Sequence, residues 1–490
     1  MCIRDSVDSL HWVTSPKHEQ TFLRYLWDEN KYAKNHLIED KPYQKNLFDQ
    51  LNHFYPKKED TQDIKIDTYF IGEDSLENSV LYYQKDSLEK IKAFEFSPFI
   101  NKRKNIFIHN FIANESKSLI LIQYSKVGNY GDFVAILPFG KRQIIDSISN
   151  VYSVEWVSDT SYLYSKINRL GRAGTLMYGS VNANKESLIH RELDPKFDIE
   201  VIKKDSLFCT IQSRTENEIY SMNPKGNSVE LHLLKQRKEG VVNTIKTADG
   251  FYNLIHDENK GSRIEHATFD QPNQWTTITE ADKNDHIEDF TLVKNKIVTL
   301  VYENSIPKLK YLQKENKKWR ALEFDLGIGV YFLQKTKDKS NKLTFSFSSP
   351  AHPYASYQYD FDHQKLITQT NTISLKSQYY KNTRVKRIWA KASDGTNIPI
   401  TVVKNKAVSN NQKKVILNVY GAYGANTTPS FSAQDAILLK KGYTLAYAHV
   451  RGESIMGTKW YKMGRAMNKQ NSIKDYIAVS YTHLTLPTKA

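Results

Sequence analysis

A chain of 490 residues exceeds the roughly 250 to 300 at which a single hydrophobic core stops growing, so at least two domains are expected. Its 40% hydrophobic and 25% charged content excludes a disordered or fibrous chain, and no apolar run approaches the roughly 18 to 20 residues that cross a bilayer as a helix, so no membrane partner is expected. The net charge of +15 would suit an anionic partner, but the lysines are scattered and runs such as Lys102-Arg103-Lys104 and Lys317-Lys318 read as solvated loop tips, which argues against nucleic-acid binding.

Met1 to Ser6, MCIRDS, can be encoded by ATGTGTATAAGAGACAG. The reverse complement of that string, read from its third base, gives Val-Ser-Tyr-Thr-His, the residues Val479 to His483. Residues 1–6 and 479–490 are therefore expected to be translated sequencing adapters and are set aside from fold reasoning, leaving about 470 residues of native chain.

Residues 7–65 read as an N-terminal helical segment. Ser15-Pro16 offers an N-cap followed by proline at the first helical position, and Phe22, Leu26, Ala33 and Leu37 follow at helical spacing. One or two amphipathic helices are expected up to about Phe54, then a polar linker over Lys57 to Asp63.

From residue 66 to 375 the pattern becomes short strands between polar turns. Thr344 to Ser348 and Ser356 to Phe361 alternate with period two, whereas Leu119 to Ile122 and Ile297 to Val301 are apolar runs suited to strands buried on both faces. Turn signals such as Ala248-Asp249-Gly250 and Asp257-Glu258-Asn259 punctuate them. Seven four-stranded blades of about 44 residues each would fill this span as a β-propeller. No sharp repeat fixes the blade number, and a pair of β-sandwiches is the competing arrangement. Cys209 lies in one of these strand-like runs and reads as a buried small hydrophobe. With Cys2 in the adapter it has no disulfide partner, which favours a reducing, cytoplasmic setting, the periplasm remaining open because the N-terminus is set aside.

After residue 376 the pattern changes again. Arg387 to Ala390 and Ile398 to Val403 flank Asp394-Gly395-Thr396 as a hairpin. Val415 to Tyr420 then reads as a buried strand and Ser432 to Lys441 as a helix closed by Gly442. A second buried strand follows at Tyr443 to Val450, with another helix from Lys459. Strand, helix, strand, helix predicts a parallel α/β sheet over residues 376–478.

Three motifs within this last portion carry a family resemblance: WAxAxDGTxxP at Trp389 to Pro399, YGAYG at Tyr420 to Gly424, and AHVRG with MGxxWY across Ala448 to Tyr461. On them the chain resembles the prolyl oligopeptidase family of serine peptidases, and the oligopeptidase B branch in particular, over nearly all of Val7 to Ala478. The resemblance implies a mixed fold: N-terminal helices packed on the hydrolase domain, a seven-bladed β-propeller covering the active site, and the start of an α/β-hydrolase domain, here truncated. It implies hydrolysis of short peptides by acyl transfer, with peptides as partners and no cofactor or metal. Tyr420 matches the family tyrosine whose hydroxyl completes the oxyanion hole, and Tyr423 an aromatic lining the substrate pocket.

A serine hydrolase of this fold needs a G-x-S-x-G elbow followed by an acid and a histidine, and none occurs in the sequence. Gly452-Glu453-Ser454 begins like an elbow, but Met456 stands at its second glycine, so Ser454 is not read as a nucleophile. The family has glycines where Glu453 and Ser454 stand, which leaves the conformation of that loop open. His449 reads as a structural strand-end histidine. This chain alone is thus expected to be inactive. The alternative is a noncatalytic propeller scaffold, and a G-x-S-x-G one βα unit downstream would separate the two. A dipeptidyl-peptidase or acylaminoacyl-peptidase relative would match YGAYG and AHVRG less well.

Overall fold

The computed structural model describes residues 16–481 apart from 37–40, 54–67, 74–78, 85–89, 96–105, 127–130, 140, 142, 184–185, 204–206, 214–215, 248, 283–284, 314–318, 323, 325, 335–339, 372–381 and 409–413. Met1 to Ser15, Leu37, the stretch from Phe54 through Lys57 to Asp63, and both short basic runs lie outside the described residues, as does the chain after Tyr481.

Most of the chain is a seven-bladed propeller. Blade 1 shows three antiparallel strands over Thr68–Glu73, Ser79–Gln84 and Lys90–Glu95. Blades 4 to 7 are four-stranded meanders spanning 198–239, 241–280, 285–322 and 330–371. Blades 2 and 3 are fused into one seven-stranded sheet because a single long strand, Asp146–Trp156, serves both. Its first half pairs with Asp132–Pro138, and from Val151 onward it pairs with Ser161–Lys166.

Blade stacking explains the apolar runs. Successive side chains of a strand point to opposite faces, and each blade face meets a neighbouring blade. Ile120 and Ile122 accordingly enter one core cluster while Leu121 enters another. In the same way Val298 and Leu300 face one core, and Ile297 and Val301 face the opposite one. Cys209 is fully buried in this setting, and burial pushes its thiol up to about 12.

The α/β portion has four strands, numbered here within its own sheet: β1 (Thr383–Lys391), β2 (Asn397–Asn405), β3 (Val415–Val419) and β4 (Thr444–Ala448). The Asp394–Thr396 hairpin joins β1 to β2, with Trp389 opposite Pro399. The sheet order is β1-β2-β4-β3, and only β3 and β4 are parallel, since β2 pairs antiparallel with β4. The parallel sheet expected from sequence is thus a mixed one, because the hairpin adds its strands antiparallel to the βαβ unit. The crossover also places β4 in the interior. Every residue of β4 is buried, whereas β3 is the edge and only half-buried.

Two N-terminal helices are described, α1 (Glu19–His36) and α2 (Lys41–His53). Leu47 and Leu51 of α2 pack on Ala433, Ala436 and Ile437 of the helix α3 (Ala433–Lys440). Among the described residues, the packing of the N-terminal segment on the α/β portion is seen at α2. No residue of α1 is buried, and Leu23 and Trp27, which lie off the apolar stripe, face solvent with Leu26. The crossover helix α3 starts as expected, Ser432 Oγ accepting the Asp435 amide, and ends before Gly442 at φ 85°. Two further helices follow β4: α4 (Gly457–Lys462) and α5 (Lys469–Val479), whose terminal Val479 is fully buried.

The α/β portion meets the propeller on blades 5 to 7. Arg387 donates to the Ser305 carbonyl, the Phe431 amide to Ser348, and Lys462 to Glu258. Tyr302 of blade 6 is buried in the same cluster as Ile398, Ile400, Ala446 and Trp460.

Candidate active-site loop

β3 delivers the chain to Tyr420 at its carboxyl end, which is where ligand sites of open α/β sheets collect. The loop that follows is tightly specified. Gly421, Tyr423 and Gly424 adopt φ of 64°, 54° and 64°. For a tyrosine this left-handed conformation costs about 1–2 kcal/mol and persists only where the surroundings enforce it. Here Lys469 Nζ donates to the Gly421 carbonyl, the Gly424 amide to the Gly452 carbonyl at 2.9 Å, and the Ala425 amide to Ala422 at 3.0 Å. The result is that two large polar aromatics stand out of the fold. Tyr420 is 56% and Tyr423 71% exposed, with ring centroids 6.4 Å apart.

Beneath them lies the segment after β4. Gly452 at φ 103° takes the left-handed step there, so neither Glu453 nor Ser454 needs glycine's freedom. A Cβ on Gly452 would lie 2.2 Å from the Gly421 oxygen, so glycine is required for the close approach of the two loops. Glu453 is fully buried and accepts from Thr427 Oγ1 at 2.5 Å, with His449 Nδ1 at 3.3 Å. Ser454 donates its amide (2.9 Å) and hydroxyl (3.2 Å) to Asn426 Oδ1. Both of its donors are thus engaged by one side-chain oxygen of the tyrosine loop. His449, also fully buried, meets Thr401 Oγ1 at 2.8 Å through Nε2, and burial pushes its pKa down.

Sequence reasoning did not find the anchor of this platform. Arg451, almost fully buried, is bound by Asp475 of α5 through its amide, Nε and Nη2 (2.5–3.1 Å), and through Nη1 by Asp394 at 2.6 Å. The Asp394 carboxyl is held down to about 2, first by hydrogen bonds from Thr396 and then by Arg451. Ser472 on the same helix donates to the Arg451 carbonyl at 2.5 Å. The arginine of AHVRG and the aspartate of DGT were each visible as motif letters, but that they meet was not.

Two clefts flank the platform. One of about 460 Å³ runs between blades 6 and 7 and the loop after Tyr423, reaching Glu288, Tyr302, Tyr331, Gly424, Asn426 and Thr428. The other, about 880 Å³, lies between the blade 5–6 turns and α4, with Asp257, Glu258, Asp285, His286, Trp389 and Lys459 on its walls. On its wall the His256 and His286 rings lie 4.3 Å apart at an angle of 59°, and burial first, then His286, brings the His256 pKa down to about 3. Among the described residues no group of three or more His, Cys, Asp or Glu side chains is placed to hold a metal. No helix there is long and apolar enough to cross a membrane.

Comparisons with known proteins agree with this architecture. Residues 4–370 match the family described as prolyl oligopeptidase, N-terminal beta-propeller domain, and residues 429–484 match the prolyl oligopeptidase family. A prolyl endopeptidase-like protein of Xenopus laevis is 25% identical over 360 residues, covering 70% of this chain and 49% of its own length. Protease 2 of Moraxella lacunata is 23% identical over 403 residues, covering 79% of this chain and 58% of its own. The chain thus spans about half the length of the curated relatives it matches. Oligopeptidase B of Trypanosoma brucei, solved in a closed form with covalently bound antipain, superposes with a TM-score of 0.80 at 17% identity over 97% of this chain and 71% of that one. On its matched propeller, its matched hydrolase segment and its fold, the chain belongs to the prolyl oligopeptidase family of peptidases.

Proposed function

We propose that this chain is the propeller and the first part of the hydrolase domain of a serine oligopeptidase that cleaves short peptides by acyl transfer in a reducing, cytoplasmic setting. In this reading the propeller limits entry to chains thin enough to pass and keeps water from the reacting centre. Tyr420 donates its hydroxyl to the oxygen that becomes negative as the scissile carbonyl is attacked, and Tyr423 lines the pocket for the residue before the cut. The observation that supports this most is Tyr420 itself: exposed at the end of β3, on a loop held in a left-handed conformation by neighbouring backbone. The bound antipain of the Trypanosoma brucei oligopeptidase B agrees with it.

A covalent route needs a nucleophile and a base as well as an oxyanion donor, and this sequence has no G-x-S-x-G. The 490-residue chain is therefore inactive by itself. The test is to expose it to a serine-directed fluorophosphonate and to a panel of short peptides, beside a version extended through the next βα unit and the rest of the reading frame. The expected result is no label and no cleavage in the first, and both in the second. Labelling of Ser454 in the 490-residue chain, or an extended protein whose elbow lacks serine, overturns the reading, the latter in favour of a propeller scaffold.

A further inference from the structure

We propose that Glu453 is a positioning residue for the tyrosine loop: its buried carboxylate, through Thr427, together with Asn426 and Ser454, holds residues 421–427 in the conformation that presents Tyr420 and Tyr423. The family resemblance puts glycine at 453 and 454, so the side chains found there depart from that pattern. They are not idle, since both reach into the tyrosine loop. Glu453 also lies beside Gly424 in a parallel bridge. A carboxylate buried without partners is costly, and this one is surrounded. Thr427 and His449 contact it, and the Arg387 guanidinium, itself buried and held down to about 10 by burial, adds a favourable charge. Arg387 has Nε and Nη1 without a hydrogen-bond partner among the described residues. Its Nη2 donates to the Ser305 carbonyl at 2.8 Å, and Glu453 adds a favourable charge through space. Tyr423, in a left-handed conformation that its side chain disfavours, is the residue whose geometry depends most on such a clamp.

This inference rests on the proposed role of Tyr420, but its test does not. In the 490-residue chain, amide hydrogen exchange of Gly424 reports loop opening directly, because that amide donates to Gly452. Thr427→Val keeps the side-chain shape and removes one hydrogen bond, and it is expected to speed Gly424 exchange about 3- to 10-fold. The melting temperature should fall only by the few degrees that about 1 kcal/mol represents, and β4 amides that exchange by local opening should keep their rates. Glu453→Ala should speed it further, and Glu453→Gln, which keeps an acceptor for Thr427, should restore most of the protection. Should Glu453→Ala fail to fold, Thr427→Val and Glu453→Gln carry the test. Unchanged Gly424 exchange in Thr427→Val overturns the clamp. An oxyanion role for Tyr420 that fails in an extended, active protein leaves these exchange rates as they are, so the two ideas fail separately.

Discussion

Gly452→Ala tests the close approach on which the tyrosine platform depends. The added Cβ would sit 2.2 Å from the Gly421 oxygen and 2.9 Å from its carbonyl carbon. Both are backbone atoms of the loop bearing Tyr420, so neither can rotate away. Two costs add. An alanine at φ 103° carries conformational strain of about 1–2 kcal/mol, and pushing packed backbone apart costs about 1–3 kcal/mol more. Gly395 provides the control, having φ 84° but nothing within 4 Å of a built Cβ. Gly395→Ala should therefore cost only the strain, about 1–2 kcal/mol, and Gly452→Ala about 2–5 kcal/mol in total. Urea unfolding followed by tryptophan fluorescence, to which the buried Trp460 of α4 contributes, gives both values in one domain. If Gly452→Ala were no more damaging than Gly395→Ala, the loops would be free to separate and the close approach would not hold the platform.

Lys235 of blade 4 is fully buried, donates to the Asn217 carbonyl, and is brought down to about 7 mainly by burial. The unfolded chain holds that proton up to about pH 10.5, so the destabilisation is complete below pH 7 and is relieved as pH rises from 7 to about 10.5. Lys235→Met should consequently help stability more at pH 6 than at pH 9, by about 1–3 kcal/mol; equal effects at the two pH values in urea unfolding would refute the buried-ammonium assignment. Asp475→Asn leaves the Arg451 guanidinium buried with Asp394 as its remaining carboxylate and should cost about 3–5 kcal/mol, read as a fall in melting temperature; a loss under about 1 kcal/mol would mean the pair is dispensable. In an extended, active protein Tyr420→Phe should lower kcat about 10²- to 10³-fold with KM little changed, and a near-normal kcat would return Tyr420 to a packing role.

Local features of the fold were legible in the sequence because they rest on local physics. Period-two alternation marked the Thr344–Ser348 strand, Ser432 and Gly442 bounded α3, and the Asp394-Gly395 turn placed the hairpin. Long-range choices were not legible. Nothing in Val415–Val419 says that the later Thr444–Ala448 strand will lie between it and the hairpin, since that is decided by which way the crossover folds back. Helical spacing in α1 gave the helix but not whether anything would cover it. At the site, Tyr420 and Tyr423 were named from a resemblance, whereas the meeting of Arg451 with Asp475 and of Glu453 with Thr427 needs the folded chain. Glu453 was noticed as a missing glycine, and the structure moves that requirement to Gly452.

The strand shared by blades 2 and 3 has a mechanical consequence. The strand Asp146–Trp156 passes from blade 2 to blade 3 without a loop: the ladder to Asp132–Pro138 ends at Val151, where the ladder to Ser161–Lys166 begins, and Asn150 at φ 58° turns the strand at that point. Those two blades form one plate, joined through continuous strand backbone. Strain that parts the ring should open a different seam, and in native-state exchange the plate should lose protection as a single cooperative unit while the other blades open one at a time.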